Sequence, residues 1–248
     1  MPIPIGLQLY SLREDCAQDL LGTIRKVADM GYQGVEFAGF FGHRAEEIKR
    51  VLDASGIVCC GSHCGIGNLN EENWRATLEF HEELECPFVI VPGIPPDMRS
   101  TLPALRETCA LFTELAARVE SKNMLAGYHA HYQDLTSIST GERPWYEIAA
   151  GTPDSFVLQY DTSNGKTGGA DPVQPMMDFP GRGKSIHLKS FPMNKIIGED
   201  EIPWTDVLAT ATLAGTEWFV VEHEEYDAGT PLECVQMCLS ALKKLGFA

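Results

Sequence analysis

The sequence is poor in positive charge and has no long apolar run. Its 248 residues include 19 lysines and arginines against 35 aspartates and glutamates, which gives a formal net charge of −16. A surface this negative repels phosphate backbones and anionic lipids, which argues against nucleic acid and membranes as partners. No segment approaches the roughly 18 apolar residues of a membrane span, and the first residues lack a basic or apolar signal region. We therefore expect a cytoplasmic protein.

Cysteine motifs of the CxxC type are also absent. The chain has 8 cysteines but no CxxC motif, and the pairs Cys60/Cys64 and Cys234/Cys238 have a spacing that fits neither a redox motif nor a zinc ribbon. Most of the cysteines lie beside apolar residues. They are therefore predicted to be reduced, buried thiols.

Three common nucleotide-binding or catalytic motifs are incomplete or absent in the sequence. Gly165-Lys166-Thr167 resembles a phosphate loop, but Tyr160 stands where that loop needs a glycine. The segment 65–70 lacks the last glycine of a dinucleotide fingerprint, and no GxSxG motif is present. These absences argue against nucleotide binding through such loops and against serine hydrolase chemistry.

Short apolar runs alternate with longer stretches of helical periodicity along the chain. The runs predict strands at 5–10, 34–37, 57–62, 88–91, 124–131, 156–160, 184–188 and 218–222. The longer stretches predict helices at 19–30, 45–54, 71–84, 102–122, 145–150, 173–179, 204–214 and 232–245. This count predicts an α/β fold, a single (β/α)8 barrel over residues 1–248. An open doubly wound sheet is the rival, but it usually has fewer units and a glycine-rich turn after its first strand.

Metal-binding residue types end four consecutive predicted strands. His129 and His131 end the fifth strand on one face, Asp161 follows the sixth, His187 ends the seventh and Glu222 the eighth. The gaps from His129 are 32, 26 and 35 residues, each roughly one strand and helix. Since active sites of such barrels lie at the carboxyl ends of the strands, these side chains are expected to meet.

Two imidazoles and two carboxylates form a typical divalent-metal site. Manganese, zinc or cobalt suits such a set better than magnesium, because nitrogen ligands disfavour magnesium. A single histidine at a strand end is more often a hydrogen-bonded core or loop residue. Four ligand-type residues at the ends of four consecutive strands are much less expected by chance.

Several short motifs occur in a fixed order at the predicted strand ends. They are Leu7-Gln8-Leu9-Tyr10-Ser11-Leu12-Arg13, Gly34-Val35-Glu36-Phe37, Gly61-Ser62-His63, Gly127-Tyr128-His129-Ala130-His131, Tyr160-Asp161, His187-Leu188-Lys189 and Val220-Val221-Glu222. In this order the chain resembles, over nearly its whole length, the xylose isomerase-like superfamily of sugar phosphate isomerases and epimerases. The resemblance implies a (β/α)8 fold, a metal bound by strand-end residues and a small hydroxy-carbonyl carbohydrate as substrate.

One departure from the family pattern affects the expected chemistry. The resemblance implies four functional residues in the order Glu, Asp, His and Glu, as in the sugar epimerases of this group. In this sequence His129 stands at the place of the first glutamate. The resemblance implies that Asp161, His187 and Glu222 are metal ligands. For His129 it implies this role from the position alone, since the residue type differs. His131 lies nearer the rim and is the alternative ligand.

The expected chemistry is proton abstraction beside a carbonyl, giving an enediolate, with a divalent metal stabilising the developing charge. Glu222 is the expected base and also a metal ligand, and His131 or Lys189 returns the proton or stabilises the oxyanion. Further residues expected to bind substrate are Gln8, Tyr10, Glu36 and His63. An isomerase or epimerase is favoured.

Other functions stay open at this point. A lyase or dehydratase acting on a keto-sugar or inosose fits the same site. A barrel that only binds sugar, or serves as a partner subunit, is an alternative of another class. The superfamily also includes metal-dependent DNA-repair endonucleases, which the 7 histidines and negative charge disfavour. Barrels of this kind often form homo-oligomers, and the sequence leaves the oligomeric state open.

Overall fold

Eight parallel strands form the centre of the fold in a computed structural model that describes residues 2–246. The strands are β1 Ile5–Gln8, β2 Gly34–Phe37, β3 Val58–His63, β4 Phe88–Val91, β5 Leu125–His129, β6 Val157–Gln159, β7 Ser185–Leu188 and β8 Trp218–Val221. They pair in the order β6-β5-β4-β3-β2-β1-β8-β7. A parallel bridge between Asp161 and His187 joins the two ends of this order, so the sheet closes. The predicted (β/α)8 barrel is confirmed. Met1, Phe247 and Ala248, which the predicted 1–248 domain includes, lie outside the described residues.

At least one helix follows each strand. The helices are α1 Arg13–Met30, α2 Ala45–Ser55, α3 Trp74–Glu83, α4 Leu102–Glu120, α5 Tyr132–Leu135, α6 Pro144–Gly151, α7 Thr162–Thr167, α8 Gln174–Met177, α9 Trp204–Leu213 and α10 Pro231–Lys244. Short 3-10 helices occupy Leu9–Leu12, Ile66–Leu69 and Pro96–Met98. The short helices α5 and α7 directly follow β5 and β6, so they shape the rim where the candidate site lies.

Apolar packing supports the barrel from both sides of its wall. The main core fills the space between strands and helices and includes Leu7, Val35 and Phe112, each fully buried. A separate small cluster of Phe88, Ile90 and Val157 packs inside the barrel. Because side chains alternate along a strand, the next inward positions toward the carboxyl ends are free to be polar.

Most predicted elements differ from the structure by one to three residues at an end; β1, for example, ends at Gln8 and not at residue 10. Two differences have a clear local cause. The strand predicted at 124–131 ends at His129. Its last two predicted residues leave the sheet because the N–H of His131 donates to Asp134 Oδ2 at 2.8 Å, and His131 caps the start of α5. The helix predicted from residue 19 begins at Arg13, and Asp19 interrupts it with non-helical backbone angles. The predicted interval therefore covers only the part of α1 that follows this break.

Candidate metal centre and cavity

Four ligand-type side chains from the ends of β5 to β8 converge at the carboxyl end of the barrel. His129, Asp161, His187 and Glu222 each offer one ligand atom, and these atoms all lie within 4.8 Å of one another. All four side chains are buried. The regular spacing along the sequence thus becomes a compact set of two nitrogens and two oxygens, which can hold a divalent metal ion.

His187 lies between two carboxylates. Its Nε2 is 2.6 Å from Glu36 Oε2, and its Nδ1 is 3.2 Å from Glu222 Oε2 and 4.0 Å from Asp161 Oδ2. Burial by itself lowers the pKa of His187, but the Glu36 and Glu222 carboxylates raise it to about 10. The centre of the cluster is therefore a point where positive charge is strongly favoured.

Asp161 has one satisfied and one unsatisfied oxygen. Its Oδ1 accepts a hydrogen bond of 2.6 Å from the N–H of Asn164 and caps α7. Its Oδ2 is buried and has no hydrogen-bond partner among the described residues. Leaving such an atom unpaired costs about 1–3 kcal/mol, and a cation bound among the four side chains would remove that cost. This oxygen and the mixed nitrogen and oxygen set show that the residues fit a divalent metal.

A buried ion pair links the cluster to the cavity above it. Lys189 Nζ lies 3.2 Å from Glu222 Oε2 and also contacts Glu224. Burial raises the pKa of Glu222, but Lys189 and His187 reverse this effect and hold it well below its ordinary value. Glu222 is thus a carboxylate at neutral pH, held beside an ammonium group.

Above the cluster is a cavity of about 380 Å³. Tyr10, His63, His131, Lys189 and Glu222 are among the residues that line it. The cavity suits a ligand of the size of a monosaccharide. Burial lowers the pKa of His131 to about 4, so its imidazole is neutral at neutral pH.

Gln8 and Glu36 do not line this cavity. Both side chains are 0% exposed; Gln8 Nε2 donates to Glu36 Oε2 at 2.6 Å, and Glu36 Oε2 in turn is 2.6 Å from His187 Nε2. In this structure the two residues contact each other and a converging histidine, and direct contact with substrate stays a prediction. Tyr10 and His63, the other two expected contacts, do line the cavity.

The two histidines at the end of β5 occupy different places. His129 belongs to the converging set, whereas His131 lies one step further out on the rim, with its ring centroid 5.0 Å from that of His129. Burial, together with the neighbouring charge of His187, holds the pKa of His129 well below its ordinary value. A neutral imidazole is the form that binds metals.

Sequence reasoning overlooked Gln159, which is fully buried between His63, His129 and Glu36. It precedes Asp161 by two residues, so strand alternation places both side chains on the inner face of the barrel. That alternation, applied to β6 as it was to β5, would have identified it.

None of the helices between residues 2 and 246 combines the length and apolar character that crossing a bilayer requires.

Several solved structures have the same fold. A sugar phosphate isomerase/epimerase from Parabacteroides distasonis ATCC 8503 is 23% identical, with a TM-score of 0.88 and coverage of 99% of this chain and 99% of that chain. An L-ribulose 3-epimerase is 12% identical, with a TM-score of 0.76, 100% of this chain and 95% of that chain covered. A probable 3-DHS dehydratase, AsbF, from Bacillus anthracis is 12% identical, with a TM-score of 0.75, 97% and 99% covered. At such identities the likeness establishes the fold.

No significant match was found among curated proteins. The model of one protein family, described as xylose isomerase-like TIM barrel, matches residues 24–243. This segment runs from within α1 to the last turn of α10 and includes all four converging residues. The chain therefore belongs to the xylose isomerase-like TIM barrel family.

Proposed function

We propose that this protein is a divalent-metal-dependent enzyme that isomerises or epimerises a small sugar or polyol by removing a proton beside a carbonyl. The observation that carries the proposal is the convergence of His129, Asp161, His187 and Glu222 within 4.8 Å, beside a cavity that His129 and Glu222 line. Similar folds in a sugar phosphate isomerase/epimerase and an L-ribulose 3-epimerase support a carbohydrate substrate.

The four converging residues are the proposed metal ligands. Manganese, zinc or cobalt fits two imidazole nitrogens and two carboxylate oxygens better than magnesium does. Such an ion, when bound, supplies Lewis acidity that stabilises negative charge on substrate oxygens. Asp161 Oδ2, which is buried without a protein hydrogen bond, is the oxygen best placed to serve only this purpose.

Glu222 is the proposed base. It is ionised, it lines the cavity, and a carboxylate there can take a proton from the carbon beside the substrate carbonyl. Lys189, 3.2 Å away, keeps Glu222 ionised and offers N–H groups to a developing oxyanion. Neutral His131 on the rim can move a proton between substrate oxygens or return one to carbon.

A specific asymmetry favours β-elimination as the second candidate. The carboxylates that line the cavity, Glu222 and Glu224, both contact Lys189 on the side of β7 and β8. The side of β3 and β5 presents the imidazoles of His63, His129 and His131 instead. Epimerisation by two opposed carboxylates is therefore disfavoured, whereas a dehydratase needs one base and one acid for the leaving hydroxyl. A dehydratase is also among the proteins of similar fold.

Hydrogen–deuterium exchange into candidate substrates tests the proposal. The protein is incubated with manganese in D₂O and a panel of keto-sugars, aldo-sugars and inososes, and carbon-bound deuterium is followed by NMR. We expect exchange at a carbon beside the carbonyl of at least one compound, at least about 100-fold faster than with chelator-treated protein. An isomeric product indicates isomerisation or epimerisation, and loss of water indicates the lyase.

Exchange that is equally fast with and without chelator would contradict metal dependence. Absence of exchange across the panel, combined with sugar binding, would favour a barrel that binds carbohydrate without chemistry.

A further inference from the structure

A buried polar network contacts two residues of the proposed metal site, His187 and His129. Its centre is Glu36 on β2, and the amide of Gln8 fixes how this carboxylate is used. Gln8 Oε1 accepts a 3.0 Å hydrogen bond from the N–H of Tyr10, so its Nε2 must be the atom 2.6 Å from Glu36 Oε2. Glu36 therefore acts as a hydrogen-bond acceptor at this end of the network.

Gln159 on β6 completes the network from across the barrel. Its amide Nε2 lies 2.7 Å from Glu36 Oε1 and 3.0 Å from Ser185 Oγ. A carboxylate oxygen accepts and an amide nitrogen donates, so Gln159 cannot be turned the other way without placing two acceptors in contact. Its Oε1 must consequently face the two imidazoles on the opposite side.

This orientation determines where those imidazoles carry hydrogen. Gln159 Oε1 is 2.8 Å from His63 Nε2 and 3.1 Å from His129 Nδ1. An amide oxygen only accepts, so both of these ring nitrogens must donate. His129 then carries its hydrogen on Nδ1 and leaves the lone pair of Nε2 for a metal.

The same carboxylate holds the second imidazole of the site. His187 Nε2 donates to Glu36 Oε2 at 2.6 Å, which leaves Nδ1 as the nitrogen that faces Glu222 and Asp161. A metal-binding histidine generally donates its other N–H to such a partner, which fixes the tautomer and the ring orientation.

We propose that Glu36 and Gln159 are positioning residues that together fix which nitrogen of each imidazole ligand is bonded within the network and which nitrogen faces the metal. Glu36 acts on His187 directly and on His129 through Gln159. The inference builds on the proposed metal site, but the hydrogen bonds that carry it exist in the metal-free protein. It also gives Glu36 a role that its complete burial permits.

Two variants and two measurements test this inference. Gln159→Met keeps the length of the side chain and removes the acceptor, and Glu36→Gln keeps the shape and removes the charge. Long-range ¹H–¹⁵N spectra of metal-free, ¹⁵N-histidine-labelled protein report the tautomer of each ring. Calorimetric titration with manganese reports affinity. His81→Gln is the matched control, because His81 is buried and bonded to Ser62 and Thr77 outside the network.

In the unmodified protein we expect His129 in the Nδ1–H form and His63 in the Nε2–H form. Gln159→Met should turn His129 into a mixture of tautomers, and both network variants should weaken manganese binding about 10- to 100-fold. His81→Gln should keep the spectra of the other rings and the manganese affinity, while its loss of thermal stability should be similar to that of the two network variants.

Two results would overturn the inference. One is an Nε2–H tautomer of His129 in the unmodified metal-free protein. The other is an unchanged His129 tautomer and unchanged manganese affinity in both network variants. If the unmodified protein takes up no manganese, the proposed function fails, but the tautomer spectra still decide whether Glu36 and Gln159 position the rings. Should Gln159→Met fail to fold, Glu36→Gln carries the test.

Discussion

Replacing Asp161 or His187 by alanine is expected to abolish stoichiometric manganese or zinc binding and, with it, catalytic activity. Each substitution removes one of four donors that lie within 4.8 Å of one another. We expect the metal affinity to fall by more than about 100-fold, beyond the loss caused by removing an outer partner. Metal content after gel filtration, measured by mass spectrometry, checks the result.

The barrel should stay folded in both variants. Asp161 also caps α7 through the N–H of Asn164, and losing such a cap costs about 1 kcal/mol. Asp171→Ala is the matched control, because Asp171 accepts from the backbone N–H groups of Val173 and Gln174 and lies outside the cluster. It should keep its metal. Full metal content in both Asp161→Ala and His187→Ala would refute the site.

The second large effect is expected from Glu222→Gln. The amide can still offer an oxygen to a metal, but it cannot take a proton from carbon. Turnover should therefore fall about 100- to 10,000-fold, while metal affinity falls much less. Steady-state kinetics on the substrate found by deuterium exchange, with metal titrations in parallel, separate the two effects.

The chain offers a close control for this variant. Glu217 pairs with Lys184 at 2.7 Å across the same two strands, β8 and β7, but at their amino ends. Glu217→Gln removes the same charge from a more exposed pair of the same residue types, remote from the cavity, and should keep turnover and metal affinity. If Glu222→Gln loses metal and turnover in equal measure, Glu222 is a ligand and not the base.

The eight strands were predictable because their signals are local. The runs at 34–37 and 88–91 have the predicted bounds; the first begins at Gly34, and the second is an apolar segment between Pro87 and Pro92. The strand-end positions of His129, Asp161, His187 and Glu222 follow from the same signal, since a parallel barrel collects the carboxyl ends of its strands on one rim.

The buried network that contacts the site could not be predicted in the same way. Glu36 and Gln159 are 123 residues apart, and only closure of the barrel brings β2 and β6 face to face across its interior. A glutamate at a strand end, such as Glu36, resembles a substrate contact until its burial is known. The short helix α5 was also missed, because it depends on one capping hydrogen bond between Asp134 and His131.

Anomalous X-ray diffraction from crystals grown with manganese tests the central claim most directly. The account predicts one strong manganese peak bonded to a nitrogen of His129, an oxygen of Asp161, Nδ1 of His187 and an oxygen of Glu222. A peak bonded to other residues, or a map without manganese at this rim, would contradict it.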